Sequence, residues 1–420
     1  MADNSVNVLF EATFLYNEYT AKSDILIRDN DSWELIEVKS KTEKTTEKKK
    51  DLSDLIDDMA YTSLIISKNG VALSKISLVL LSESFRLGMI LSELFSFFNY
   101  TQEVNGRIGA FERQLDSVAQ ITSQPIEPDF RLTSQCKKCD FIDHCIPSSA
   151  NYTILNIPRL NEAQLQELTA QGIFLIRDIP KETRLTPTQQ QPVACMRSGK
   201  TIIDHYLLMQ KLAKIRWPAH YLDFETTQTA FPLYPNVTPY EKIPTQYSIH
   251  TCSQCGVISD HKEYFADPSR DCRHELAESL VRHLEGDGSI LCYSSFERQI
   301  INGLIKTCPD LSGPLMGIAG RLVDLLECTK CVNHPDFKGS NSIKAILPVL
   351  VPGMTYEGMP IANGDEALVT FAYMAQGKFT PAECAQKREE MLKYCEQDTL
   401  AMVKIHEIFE KMVTSFNPGP

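Results

Sequence analysis

Alternation and helical spacing divide the chain before any chemistry is considered. Ile25-Leu-Ile-Arg and Trp33-Glu-Leu-Ile-Glu-Val-Lys39 flank the polar turn Asp29-Asn-Asp-Ser, which predicts a β-hairpin. Residues 160–172 read as an amphipathic helix capped by Asn161 and stopped by Gly172, followed by a short element over 173–180. Residues 186–192, with a glutamine run and two prolines, read as a linker. From Ile215 onward, strand-like runs alternate with helices, as in an α/β sheet. Residues 245–250 and 261–265 alternate like paired strands. Residues 389–409 carry helical spacing, with Leu392, Cys395, Leu400 and Val403 predicted as a buried stripe.

Acidic residues fall at telling positions on these elements. Asp223 and Glu225 follow the apolar His220-Tyr-Leu at i and i+2, so a strand presents both on one face. Two carboxylates side by side repel unless a cation lies between them. Tyr394 and Asp398 stand at i and i+4 and share a helical face. In Gly288-Ser-Ile-Leu-Cys-Tyr-Ser-Ser-Phe-Glu297 a buried strand and a short turn lead to Glu297 at the start of a helix, with Asp324 as its rival for the same role. Such carboxylates can hold paired Mg²⁺ or Mn²⁺ ions, a centre suited to phosphodiester cleavage.

In this order the motifs resemble the DEDD-type 3′–5′ exonucleases of the ribonuclease H-like fold, in the Tyr-containing subclass. The resemblance implies catalytic roles for Asp223, Glu225, Glu297, Tyr394 and Asp398, although the middle motif of that family ends Phe-Asp where this chain has Phe296-Glu297. Gly339-Ser-Asn-Ser-Ile-Lys-Ala-Ile-Leu-Pro348, Val351-Pro-Gly, Asn363-Gly-Asp-Glu-Ala367 and the segment around Tyr394 are similar to the DUF2779 family, in which a Cas4-like segment precedes such an exonuclease. The expected fold is α/β: a C-terminal ribonuclease H-like mixed sheet flanked by helices, after a smaller restriction-endonuclease-like segment with a cysteine cluster.

The predicted hairpin brings Asp24 beside Glu37 and Lys39, which looks like the Asp…Glu-x-Lys core of PD-(D/E)xK nucleases. The chain starts only a few residues before Phe10, leaving out a helix and a cysteine expected of Cas4-like domains, and Thr62 stands where a glutamine is expected. A scaffold is therefore the expected role of this segment. Cys136-x2-Cys139-x5-Cys145 has the spacing of three [4Fe–4S] ligands in Cas4-like proteins. A labile cluster, a Zn²⁺ site completed by His144 and an empty remnant all fit that spacing. Cys252, Cys255, Cys328 and Cys331 resemble two halves of a Zn²⁺ site, equally open to reading as incidental thiols.

Expected boundaries are 1–150, ending at the Pro147-Ser-Ser-Ala turn, a helical hairpin and linker over 151–214, and the exonuclease domain over 215–415. Lys39–Lys50 holds six lysines and two glutamates, a phosphate-facing run or a solvated mobile loop. Phe231, Tyr234 and Tyr240 are candidates for stacking on bases, and Lys344 for contacting phosphate.

Composition fits this picture. The 420 residues, 43% hydrophobic, suffice for two or three domains. No apolar run is long enough for a bilayer and no signal pattern opens the chain, so a cytoplasmic location without membrane contact is expected. The 13 cysteines then read as thiols or metal ligands. A net charge of −12 argues against a broad nucleic-acid-coating surface; the resemblance to exonucleases implies single-stranded nucleic-acid ends as the partner. The competing reading is a weakened nuclease that binds such ends within a repair or defence assembly.

Overall fold

The computed structural model describes residues 5–146 and 152–416. The architecture is mixed α/β in two compact units. One comprises the residues up to Asp129 with Gln228–Glu241, and the other Phe130–Thr227 with the residues from Lys242 onward. The turn expected at Pro147 lies outside the described residues.

The first unit contains β1 (Val8–Tyr16), β2 (Tyr19–Asp29), β3 (Ser32–Thr42), α1 (Lys49–Lys68), β4 (Leu73–Leu81), β5 (Phe95–Asn99) and α2 (Thr101–Thr122). Its sheet runs β1-β2-β3-β4-β5; only the β3–β4 pair, joined through α1, is parallel. The predicted hairpin is β2–β3, with Leu26 opposite Leu35. Both leucines bury against Met59, Ile65 and Ile66 of α1, each worth about 1.5–3 kcal/mol. The lysine run is not a loop. It finishes β3, makes a 3₁₀ turn at Glu43–Glu47 and opens α1, with Lys39 paired to Glu37 and Lys44 to Glu83.

The second unit starts with α3 (Ile142–Cys145), α4 (Glu162–Ala170), α5 (Pro187–Ser198), β6 (Ile202–Ile203) and α6 (His205–Leu212). Then follow β7 (Ala219–Thr227), β8 (Ile243–Gln254), β9 (Val257–Phe265), α7 (Arg273–His283), β10 (Ser289–Cys292), α8 (Phe296–Thr307) and α9 (Ser312–Gly320). The last elements are β11 (Leu322–Asp324), α10 (Leu326–Thr329), β12 (Val332–Asn333), α11 (Ile343–Leu350), α12 (Gly364–Ala375) and α13 (Pro381–Thr414). Its main sheet has the order β11-β10-β7-β8-β9, with β7, β8 and β9 antiparallel and β10 and β11 parallel to β7.

Helices cover both faces of this sheet, which is why central β7 is buried nearly throughout. Leu222 and Phe224 join the core under α7, α8 and α9, whereas Tyr221 joins the core under α6, α11, α12 and α13. The period of two then places Asp223 and Glu225 on the α13 face. Gly288 leads into β10 with φ 95°, and a Cβ there would stand 1.8 Å from the Pro218 carbonyl, so only glycine lets β10 enter beside β7.

Two elements depart from the sequence pattern. The expected linker at 186–192 is the start of α5: Thr186 and Gln189 form a capping box and Pro187 takes the first helical position, a combination that initiates a helix despite Pro192 further in. In α13, begun by the Thr380–Glu383 capping box, the buried face carries Met391, Tyr394, Cys395, Asp398, Met402 and Phe409. Cys395 and Val403 are buried as predicted, but Leu392 and Leu400 are only half-buried. The polar residues Tyr394 and Asp398 take the face that hydrophobicity alone would assign to leucine.

Candidate metal centre

Asp223, Glu225 and Asp398 converge from β7 and α13, each offering a carboxylate oxygen within 4.8 Å of the others. A bulge in the β7–β8 ladder falls between Glu225 and Thr226, a common device for aiming a side chain at a strand end. Opposite Glu225, Gln246 donates to the Met391 carbonyl at 2.8 Å and ties the sheet to α13. Cys395 Sγ lies 3.7 Å from Asp223 Oδ2.

Glu297 stands in the first turn of α8, 2% exposed, with Oε2 lacking a partner among the described residues. The turn before it is strained: Ser294 has φ 97° and is held by its backbone N–H on Asp324 Oδ1 at 2.8 Å. Asp324 Oδ1 also accepts from the Leu326 backbone, so this carboxylate braces two chain segments while Glu297 faces the cluster. Glu297 raises the proton affinity of both Asp223 and Glu225, yet it does not join the group of three within 4.8 Å.

The four carboxyls act on one another's protonation. Burial, followed by the charges of Asp398, Glu297 and Glu225, holds Asp223 well above the carboxylate range. Burial and Asp398 push Glu225 up to about 8; burial, with Asp324 and Asp398, pushes Glu297 up to about 8. Asp398 rises less, to about 6, because hydrogen bonds from Tyr356 and Tyr394 and the Lys344 charge oppose its burial. One exposed ammonium cannot neutralise four carboxylates, and divalent cations would. Hard oxygen donors of this kind suit Mg²⁺ or Mn²⁺.

Both tyrosines remain protonated donors, since burial and the neighbouring carboxylates drive their phenols far up. Their rings meet edge to face at 5.9 Å, and Lys344 Nζ sits 5.4 Å from each ring while donating to the Ala362 carbonyl. Lys344 is thus at the cluster. Tyr356 escaped the sequence reading because it reaches Asp398 from the loop between α11 and α12, where no periodicity points to it.

Residues 220–342 match the family described as Domain of unknown function (DUF2779). The match takes in Asp223, Glu225, Glu297 and Asp324, and stops short of Lys344, Tyr356, Tyr394 and Asp398. The chain is also similar to the Uncharacterized protein MG366 of Mycoplasma genitalium, with 24% identity over 229 residues. That alignment covers 46% of this chain and 32% of the relative, so the chain spans about a third of the protein it matches.

In the first unit Asp24, Glu37 and Lys39 do meet, but they are engaged with one another and with the backbone. Asp24 Oδ2 accepts from the Val38 N–H at 2.7 Å, and Lys39 Nζ bridges Glu37 at 2.6 Å and Asp58 at 2.7 Å. Burial raises Glu37 above its usual range against the pull of Lys39. Burial also opposes the Lys39 charge, yet the bonds to Asp58 and Glu37 lift it above its ordinary value. Phe231, Tyr234 and Tyr240 belong to the first unit rather than to the sheet that carries Asp223. Tyr234 is buried, Tyr240 donates to the Ser40 carbonyl, and Phe231, 47% exposed, rests against Phe85. The two tyrosines are therefore spoken for by packing and hydrogen bonding; only Phe231 presents an open ring face.

None of the cysteines is paired in a disulfide. Cys136, Cys139 and Cys145 fall in the second unit, beside the core of Leu132, Ile146, Ile154 and Leu165, not with the segment of residues 1–150 expected from sequence. Cys255 and Gly256 make the two-residue turn between β8 and β9, as expected for a hairpin tip, while Cys328 and Cys331 flank the end of α10. Among the described residues, neither set of cysteines, nor Cys145 with His144, forms a group within common ligand reach. No helix of the described residues is long and apolar enough to cross a membrane.

Proposed function

We propose that the second unit is a metal-dependent nuclease that hydrolyses phosphodiester bonds of DNA or RNA from the 3′ end. The observation that carries this reading is the convergence of Asp223, Glu225 and Asp398, with Glu297 and the buried Tyr394 beside them and the exposed Lys344 close by. Divalent cations held by the carboxylates would supply an activated water and stabilise the departing oxygen. Tyr394, kept protonated, orients the nucleophile through its hydroxyl, and Lys344 receives the phosphate. The mixed sheet flanked by helices suits the ribonuclease H-like reading, and the direction of attack rests on the resemblance to DEDD-type exonucleases. In the first unit, the engagement of Lys39 by Glu37 and Asp58 supports a scaffold, not a second active site, while Glu37 Oε2 is left without a partner among the described residues.

Incubating the chain with single-stranded DNA and RNA labelled at either end, with Mn²⁺ or EDTA, tests the proposal. A metal-dependent ladder from the 3′ end, abolished by Asp223→Ala in a folded protein, supports it. Unchanged cleavage by Asp223→Ala or Asp398→Ala sinks it. The position of Glu297 outside the closest group favours a second reading, in which the unit binds strand ends without cutting; retained binding with no cleavage by any preparation would select it.

A further inference from the structure

A second set of ligating side chains lies in the same unit and shares no residue with the four carboxylates. His250 on β8 and His261 on β9 are direct cross-strand partners, with ring centroids 4.4 Å apart and planes inclined by 34°. Glu396 on α13 joins them: one nitrogen of each imidazole and one carboxylate oxygen all lie within 4.8 Å of one another.

The hydrogen bonds around the two rings are consistent with one arrangement of their protons. Thr399 Oγ1 donates back to the helix, where the Glu396 carbonyl lies at 3.0 Å, and so offers its lone pairs to His250 Nδ1 at 2.8 Å and Ser248 Oγ at 2.9 Å. Ser248, its proton directed to Thr399, accepts from His261 Nε2 at 2.9 Å. Each ring then carries its hydrogen on the hydroxyl side, leaving a lone pair on His250 Nε2 and on His261 Nδ1. Metal-binding histidines are held in this manner, the far nitrogen anchored so that the near one is oriented and basic.

We propose that His250, His261 and Glu396 bind a Zn²⁺ ion that fastens α13 to the β8–β9 hairpin. Two imidazoles and one carboxylate form a donor set of borderline softness, unlike the all-oxygen cluster, and favour zinc over magnesium or calcium. Tetrahedral zinc ligands stand about 3.3 Å apart, so the site closes by small side-chain rotations, with water in the fourth position. Its location gives it a use. Ser248 pairs with Asp223 across the β7–β8 ladder, and Thr399 follows Asp398 on α13. The hydroxyl relay that orients the histidines therefore adjoins both carboxylates, and the ion would fix the turn of α13 that presents Asp398.

The full chain, stripped of metal and titrated with Co²⁺ as a spectroscopic substitute, tests this. The expected result is one equivalent giving the intense visible bands of a tetrahedral nitrogen–oxygen site, with no thiolate charge-transfer band. His261→Gln and Glu396→Gln should each weaken that binding about tenfold or more while retaining a native near-ultraviolet circular dichroism spectrum, and Asp223→Asn should keep it. Zn²⁺ should displace the Co²⁺ and raise the melting temperature of the unaltered protein more than that of either variant. Folded protein without such bands, bands insensitive to both substitutions, or a thiolate band locating the ion on cysteines would each overturn the proposal.

Discussion

The Tyr356 hydroxyl donates to Asp398 Oδ1 at 2.5 Å, so a residue 42 positions earlier in the chain holds the carboxylate that α13 brings to the candidate metal centre. A carboxylate committed to a phenol on one oxygen presents the other in a fixed direction. Tyr356→Phe keeps the ring against Tyr394 and removes only that restraint. Mn²⁺ affinity, measured by calorimetry, should fall about tenfold. Equal affinity would mean that packing alone positions Asp398.

Stability without metal should decline as pH rises. Glu225 has an ordinary value of 4.5 and is raised to about 8 in the folded chain, as is Glu297. Between those values the unfolded chain has lost protons that the folded chain keeps, so deprotonation favours unfolding. The loss begins near pH 4.5 and is complete above about 8, on the order of a few kcal/mol. Melting curves in EDTA from pH 5 to 9 should show this decline, and Mn²⁺ should restore most of it at pH 8 while releasing protons. A flat profile in EDTA would contradict the carboxylate cluster.

Lys39→Ala should destabilise the first unit by about 1–3 kcal/mol, because it leaves the buried Glu37 without its cation. If the metal centre of the second unit is the nuclease, cleavage by this variant should equal that of the unaltered chain. Denaturant unfolding and the end-labelled assay read the two effects separately; a loss of cleavage in a folded variant would return Asp24, Glu37 and Lys39 to consideration as a catalytic set.

Gly288→Ala should cost at least about 3 kcal/mol, since the new methyl would meet the Pro218 backbone oxygen and the backbone would remain at a positive φ. Circular dichroism and thermal melting suffice to check it, and a change of under 1 °C would show that the entry to β10 is laxer than described.

Much of the candidate metal centre is legible in the sequence because its residues lie on regular elements. Asp223 and Glu225 follow the period of a strand, Tyr394 and Asp398 that of a helix, and Glu297 the start of another, so spacing alone predicts shared faces. Tyr356 obeys no period and is found only once the loop after α11 is folded. The His250–His261 pair depends on the register set by the Cys255–Gly256 turn, and Glu396 joins it only when α13 lies across both strands. Residues 186–192 misled because prolines and glutamines suggest a linker by composition, whereas Thr186, Pro187 and Gln189 at successive cap positions dictate a helix.

The chain leaves the second unit after Thr227 and returns at Lys242, so the excursion of Gln228–Glu241 belongs to the first unit although β7 and β8 on either side of it belong to the second. Neither unit can therefore be obtained by a single cut. A cut after Asp129 would leave Gln228–Glu241 on the larger fragment, and the smaller fragment would lack the segment that carries Phe231, Tyr234 and Tyr240.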